Sequence, residues 1–273
     1  MSAALLRLEG QAVLRARWFG VTLLLALGIV GFFLVVAARE SSVLGFTGFG
    51  KVMGGVVQTS LLLVPLLAIL ATAQAVTAAR QSGVLEWYLS QPTSRLDCFR
   101  ALLLPRLGAL VAPLAGVMGL LAVAAAVLGQ PVAAPLLINF TAVLVGQAVA
   151  FGGLGIAVSA MSRTPEQALL RALGLWMGAA VLLDFVLLGV MLRWELPPAV
   201  VFSLAALNPM QDGRVAVLAT IDPAMGAIGP VGTWALTSLG TTPTLVWTLG
   251  WPFLLGMGAI LLGGRAFTTR DVL

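Results

Sequence analysis

The chain has 273 residues, 60% of them hydrophobic and 9% charged, with a mean hydropathy of +1.07. A soluble domain carries about 25% charged residues, so this composition cannot cover a water-facing surface and excludes a soluble enzyme or binding module. Fifteen basic residues against ten acids give a net charge of +5, an excess that the positive-inside rule explains without nucleic acid. With no histidine and only Cys98, the chain cannot close an internal disulfide or build a His/Cys zinc or iron–sulfur site.

Residues 1–17 are too short to span a bilayer. Leu5, Leu8 and Ala12 fall near one helical face, with Arg7, Gln11 and Arg15 elsewhere, which predicts an N-terminal interfacial helix. A hydrocarbon core of ~30 Å needs about 20 helical residues. Six runs meet that length: 18–38, 56–79, 101–128, 136–160, 172–192 and 243–263. They are continuously apolar, without the alternation of barrel strands, so they predict helices. Val36-Ala37-Ala38 has the form of a cleavage site, but the run before it exceeds a signal h-region and further spans follow, so a retained helix is expected. Pro65, Pro105, Pro113 and Pro252 fall inside spans, where neighbouring groups can satisfy the freed carbonyls.

The most polar connector, residues 80–100, predicts a helix break at Gly83, a short helix Val84–Ser90 and a turn at Pro92. Leu85, Tyr88 and Leu89 group on that helix, with Trp87 suited to the interface, and the expected role is a docking knob for a soluble partner. In the connector 162–171, Thr164-Pro165-Glu166 predicts a helix start at Pro165; it is either a second contact or a hairpin turn. Residues 193–242 contain the short apolar run 199–207, the segment Asn208-Pro209-Met210-Gln211-Asp212-Gly213-Arg214, and Ile221-Asp222-Pro223. Short apolar pieces with polar breaks predict re-entrant or interfacial helices packed on the bundle, a docking face for an outside protein, or both.

Eleven basic residues fall at the N-terminus, the second and fourth connectors, the start of the third span and the C-terminus, against Arg39, Lys51, Arg193 and Arg214 on the other side. This asymmetry predicts both termini in the cytoplasm. The expected fold is an all-α integral membrane protein: six transmembrane helices, the interfacial N-terminal helix, and a re-entrant or interfacial outer segment between spans five and six. Residues 1–273 are expected to form a single transmembrane domain.

Chemistry is sparse. The chain has no GxxxxGK[ST], HExxH or GxSxG motif and no paired-carboxylate motif, which argues against a self-contained enzyme. Asp184 is the one acid inside a span and should face the bundle interior, with Gln147 at comparable depth as a candidate hydrogen-bond partner. Two roles remain open for it: a gate or substrate-path residue, or a partnered Asp that pins two helices. Gly174 with Gly178, and the cluster Gly152, Gly153 and Gly155, would allow close helix approach. Met53, Met191, Met210 and Met225 lie on or near the outer side, where packing is favoured over Cu(I) binding.

The connectors carry a family pattern. Ser82–Arg95, SGVLEWYLSQPTSR, resembles the GTLE-x-LLS-x-P-x-SR segment of type-two ABC exporter permeases. Residues 154–177 are similar to that family's junction between spans four and five, and Phe267-Thr268-Thr269-Arg270-Asp271-Val272 to its F-x-RRD-L ending. Within the family, Leu44-Gly45-Phe46-Thr47, Trp176 with Asp184-Phe185, and Asn208-Pro209-x-x-Asp212-x-Arg214 most resemble the NosY type, the permeases of nitrous-oxide-reductase maturation. Arg80-Gln81 and Ala101-Leu102 depart from the acids and the Gly-Lys common at those places.

The resemblance implies a homodimer in the bacterial inner membrane, in contact with membrane lipids. It implies a NosF-like ATP-binding subunit holding ATP and Mg, a NosD-like periplasmic β-helical partner, and no cofactor on this chain. Glu86, Trp87, Tyr88 and Arg95 would then lie in the ATPase coupling region, and Asn208, Asp212 and Arg214 in the periplasmic partner region. The role expected is a non-catalytic permease that supplies sulfur or copper for the reductase's copper centre. The alternatives are a general exporter permease for lipid, drug or glycan, and a non-transporting scaffold that passes motion to a periplasmic partner.

Overall fold

The computed structural model describes residues 3–40, 46–127, 134–193, 196–221 and 230–269. Outside them lie Leu44-Gly45, Asp222-Pro223, Met225 and Arg270-Asp271-Val272, and the side chains of Arg39, Phe46, Thr47, Lys51 and Met53 are likewise not described. The described residues are helical throughout, without a strand.

The chain opens with α1 (Ala3–Leu14), which meets α2 (Arg17–Glu40) at a bend of 66°. Next come α3 (Phe46–Thr72), α4 (Ala75–Gln81), α5 (Val84–Leu89), α6 (Arg95–Val127) and α7 (Ala134–Met161). The fifth span is composite: α8 (Pro165–Met177), one π-helical turn over Gly178–Leu182, then α9 (Leu183–Arg193). Three short helices, α10 (Pro198–Ala205), α11 (Pro209–Ile221) and α12 (Pro230–Ser238), lead to α13 (Thr241–Thr269). Among the described residues, five stretches are long and apolar enough to cross a membrane: Gln58–Gln81, Arg95–Leu120, Ala134–Met161, Pro165–Leu187 and Thr241–Thr269. The bent pair α1–α2 makes a sixth when its two helices are counted as one span. The six-span, all-α expectation agrees with this architecture.

Local sequence explains the boundaries. Thr164 caps α8 by accepting the Gln167 N–H, with Pro165 at the first helical position, where a missing N–H is harmless. Gly83, at φ 74°, turns the chain from α4 into α5 in a conformation that other residues rarely adopt.

α7 is the central helix and packs on α13, α3, α6, α8 and α11. Lipid tails are as apolar as leucine, so the hydrophobic effect does not drive such contacts within the bilayer; close approach and dispersion do. Glycines supply that approach. A methyl group on Gly256 of α13 would sit 2.5 Å from the Val149 carbonyl oxygen, and one on Gly263 would sit 2.9 Å from Ala157 Cα. A methyl group on Gly155 of α7 would run into the Thr72 hydroxyl of α3 and sit 3.1 Å from the Ile69 carbonyl oxygen. By contrast, Gly174 and Gly178 meet nothing within the protomer. The fifth span is the least enclosed, with Leu175, Leu182, Phe185 and Val186 all exposed.

The bundle has two ends of different character. At the basic end, α1, α4, α5 and the ends of α6, α7 and α13 share an apolar cluster containing Leu5, Leu85, Phe99, Leu102, Ile156 and Phe267. At the far end α11 folds back against α7 and α13, held by a hydrogen bond from Asn139 to Thr220, while α10 packs on α12. Trp247 and Trp251 of α13 stack at 5.3 Å and donate to the Ala206 and Leu207 carbonyls, closing the end of α10 against the last span. The re-entrant reading of residues 193–242 therefore describes α11 well.

Candidate functional site

At the basic end, α5 is an amphipathic turn and a half whose apolar face is consumed internally. Leu85 and Tyr88 are buried among the side chains of α4 and α6, so they do not form the exposed knob expected of them. That knob is made instead by Val84, Glu86 and Trp87, with Trp87 53% exposed. The i, i+3 pair faces inward because α4 and α6 offer it an apolar seat; an indole facing the opposite way finds none. Thr93 donates its hydroxyl to the Tyr88 carbonyl, which closes the turn after α5. Arg95 opens α6 and reaches the Thr268 carbonyl at 3.3 Å, tying the connector 80–100 to the last span.

Beneath α5 lies a buried polar joint. The Tyr88 hydroxyl donates to Glu9 Oε1 at 2.7 Å, and Arg106 donates to Glu9 Oε2 at 2.9 Å and to its own helix at the Leu102 carbonyl. Burial, followed by the Glu9 hydrogen bond and charge, pushes the Tyr88 pKa well above the usual phenol range. The inward face of α1 is accordingly Leu5, Glu9 and Val13, whereas Leu8 is exposed and so is Ala12. The expected face of Leu5, Leu8 and Ala12 is thus rotated, because α1 packs on α6 through an i, i+4, i+8 stripe that includes an acid. Glu9 and Arg106 are site residues that the sequence reading did not select. An acid in register with Leu5 and Val13 on an otherwise basic helix is the signal that could have found the first.

The connector 162–171 rests on α4, the helix that precedes α5. Arg80 donates to the Ser162 carbonyl at 3.1 Å and Gln74 to the Pro165 carbonyl at 3.3 Å. Ser159 Oγ accepts the Val76 and Thr77 N–H groups at the head of α4. The two connectors at the basic end are therefore hydrogen-bonded to each other through α4.

The far end carries a second polar site, centred on α11. Asp184 accepts from Arg214 at 2.7 Å and from Gln211, not from Gln147. Gln147 instead donates to the Pro209 carbonyl at the start of α11. The expected Gln147–Asp184 pair does not form, because α11 folds back to Asp184 and brings a stronger, cationic partner. Asn208 donates to the Ala179 carbonyl of the π turn at 2.7 Å and accepts the Met210 N–H, so it links a hinge-prone turn to the head of α11.

Asp212 is 1% exposed, and its Oδ2 has no hydrogen-bond partner among the described residues; the same holds for Gln147 Oε1 and Arg214 Nε. Burial pushes the Asp212 carboxyl up to about 9. Beside it, a cavity of about 280 Å³ is lined by Asp184, Met191, Phe202, Gln211 and Asp212. With Asn208 and Asp212 buried, a protein docking at this end would meet their neighbours and not these side chains. Among the described residues, no three of His, Cys, Asp and Glu come together as metal ligands.

A multi-span bundle with a small helix displayed at its basic end, a tethered amphipathic N-terminal helix and no nucleotide motif has the form of a transporter's membrane subunit. Its sequence from residue 3 to 272 matches the profile of the ABC-2 family of transporter proteins, and the chain belongs to that family. It is the permease subunit of an ABC transporter, a multi-pass membrane protein that works with an ATP-binding partner. Among its relatives is a probable ABC transporter permease protein NosY of Pseudomonas aeruginosa, 29% identical over 228 residues, covering 80% of this chain and 82% of that protein.

Proposed function

We propose that this permease converts ATP hydrolysis by a separate cytoplasmic subunit into movement at the periplasmic side of the bacterial inner membrane, in support of nitrous oxide reductase maturation. The observation that carries the coupling half is the display of Glu86 and Trp87 on α5, whose opposite face is anchored to α1 and α6. An exposed, rigidly backed aromatic and acid pair is the form of a hot spot for a protein partner. The sequence asymmetry of eleven basic residues against four supports a cytoplasmic placement of this end, with both termini inside.

ATP and Mg are held by the partner, a NosF-like subunit, and this chain acts without a cofactor of its own. Two copies of the permease pair along the fifth span, where Gly174 and Gly178 leave an open groove and Leu182, Phe185 and Val186 are exposed. The outer helices α10–α12 form the seat of a NosD-like β-helical periplasmic protein. The supply of sulfur or copper to the reductase rests on likeness to the NosY-type permeases.

Purifying the chain from native membranes and identifying what accompanies it tests this reading. An ATP-binding subunit together with a β-helical periplasmic protein is the expected result. An ATP-binding subunit alone points to a general exporter for lipid, drug or glycan, and the absence of any ATP-binding subunit contradicts the coupling role.

A further inference from the structure

We propose that the Glu9 carboxylate is the joint through which movement of the coupling helix α5 reaches the N-terminal helix and the third span, with Tyr88 and Arg106 as its positioning residues. The inference rests on the coupling reading above and adds the path by which the stroke leaves α5.

Two consecutive helices, α5 and α6, meet the sequence-distant α1 at one carboxylate. Tyr88 brings α5, Glu9 brings α1 and Arg106 brings α6, with heavy-atom distances of 2.7 and 2.9 Å. Both oxygens of Glu9 are used, each by a different helix, so neither neighbour can shift without breaking a bond or carrying α1 with it. The whole joint is shielded: Glu9 and Tyr88 are buried and Arg106 is largely so. In that setting a broken bond leaves a desolvated charge, and the joint transmits force better than a solvated ion pair would.

The apolar contacts around it cannot do this alone. Leu5, Leu85 and Leu102 can slide over one another at little cost, whereas a two-oxygen acceptor held by two donors fixes direction as well as distance. The 66° bend between α1 and α2 gives the moved element somewhere to deliver its displacement, since rotation of α1 swings the start of the first span. The Tyr88 hydroxyl keeps its proton, held by burial and by Glu9 itself, and so remains a donor to the carboxylate.

The test uses the intact permease with its ATP-binding subunit in lipid nanodiscs. Backbone hydrogen exchange is followed in Ala3–Leu14 and Val84–Leu89, with and without a non-hydrolysable ATP analogue, for the wild type, Y88F, E9Q and the double variant. In the wild type both helices are expected to change protection when nucleotide binds. In Y88F and in E9Q, α5 still responds, but the response of α1 falls about tenfold, the equivalent of one charge-assisted hydrogen bond. The double variant should be no worse than E9Q alone, because one joint is broken once.

A role in stability alone would raise α1 exchange equally with and without nucleotide, and that result overturns the proposal. So does an α1 response that survives in both single variants. R106K, which keeps the charge, guards against misfolding of the neutral variants, and an unchanged α1 response in R106K together with a lost one in E9Q supports the joint. If α5 of the wild type ignores nucleotide, the coupling reading itself fails, and the joint with it.

Discussion

Asp184 and Arg214 are thirty positions apart and meet at 2.7 Å, with Gln211 on the second carboxylate oxygen. Replacing Asp184 with Ala strands a partly buried guanidinium, and thermal unfolding in detergent should show a loss of about 1–3 kcal/mol. Asp184→Asn keeps an acceptor for Gln211 and should lose less. Asp212 gives a prediction of opposite sign. Its carboxyl is raised by burial from 3.8 to about 9, so the folded state holds a proton that the unfolded state has released. Stability should therefore fall as pH rises across that window and level off above it. Asp212→Asn should flatten the fall and stabilise the protein at neutral pH; melting temperatures at roughly pH 5 and roughly pH 8.5 check this.

At this scale the sequence was only half legible. Asp184 stands out as the one acid in a span, but its partner depends on a fold-back that hydropathy does not reveal. Asn208, Asp212 and Arg214 are recognisable as a motif, yet their burial is a tertiary fact. Glu9 is hidden because a single acid in a basic helix looks solvated until α6 presents Arg106 to it.

At the scale of elements, the seam between α7 and α13 is set by glycine. Gly256→Val forces a branched side chain against the Val149 backbone and should cost about 3 kcal/mol or block folding, read as loss of the monodisperse protein on size exclusion. A Cβ at Gly174 meets nothing within 4 Å, so with Gly174→Leu the subunit should fold normally, while any assembly along the fifth span should weaken. Cross-linking at low detergent separates these two outcomes. The spans were readable from length and apolar continuity, since a bilayer imposes both. Their depth of packing was not, because an Ala- and Gly-rich chain offers many glycine pairs and only contact geometry tells Gly153 from Gly174. The short α5 was legible as an element, but its orientation was not: Leu85 and Tyr88 turn inward because α4 and α6 seat them, and Trp87 is left outside.

For the whole molecule, the scarcity of charge resolves into two polar centres at opposite ends of an apolar bundle. One joins α1, α5 and α6 through Glu9; the other joins the fifth span to α11 through Asp184 and Asn208. Between them α7 packs on both α13 and α3 at glycine contacts, a stiff core that can carry displacement from end to end. A chain with no nucleotide motif needs its energy delivered at one of these ends, and α5 is where the basic end exposes an aromatic side chain and an acid together.

The most direct test places a photoreactive phenylalanine derivative at position 87 in native membranes and identifies what it captures on illumination. The account predicts covalent capture of an ATP-binding subunit, lost when Glu86 is also replaced by Arg. Capture of lipid alone, or of any protein that binds no nucleotide, would contradict it.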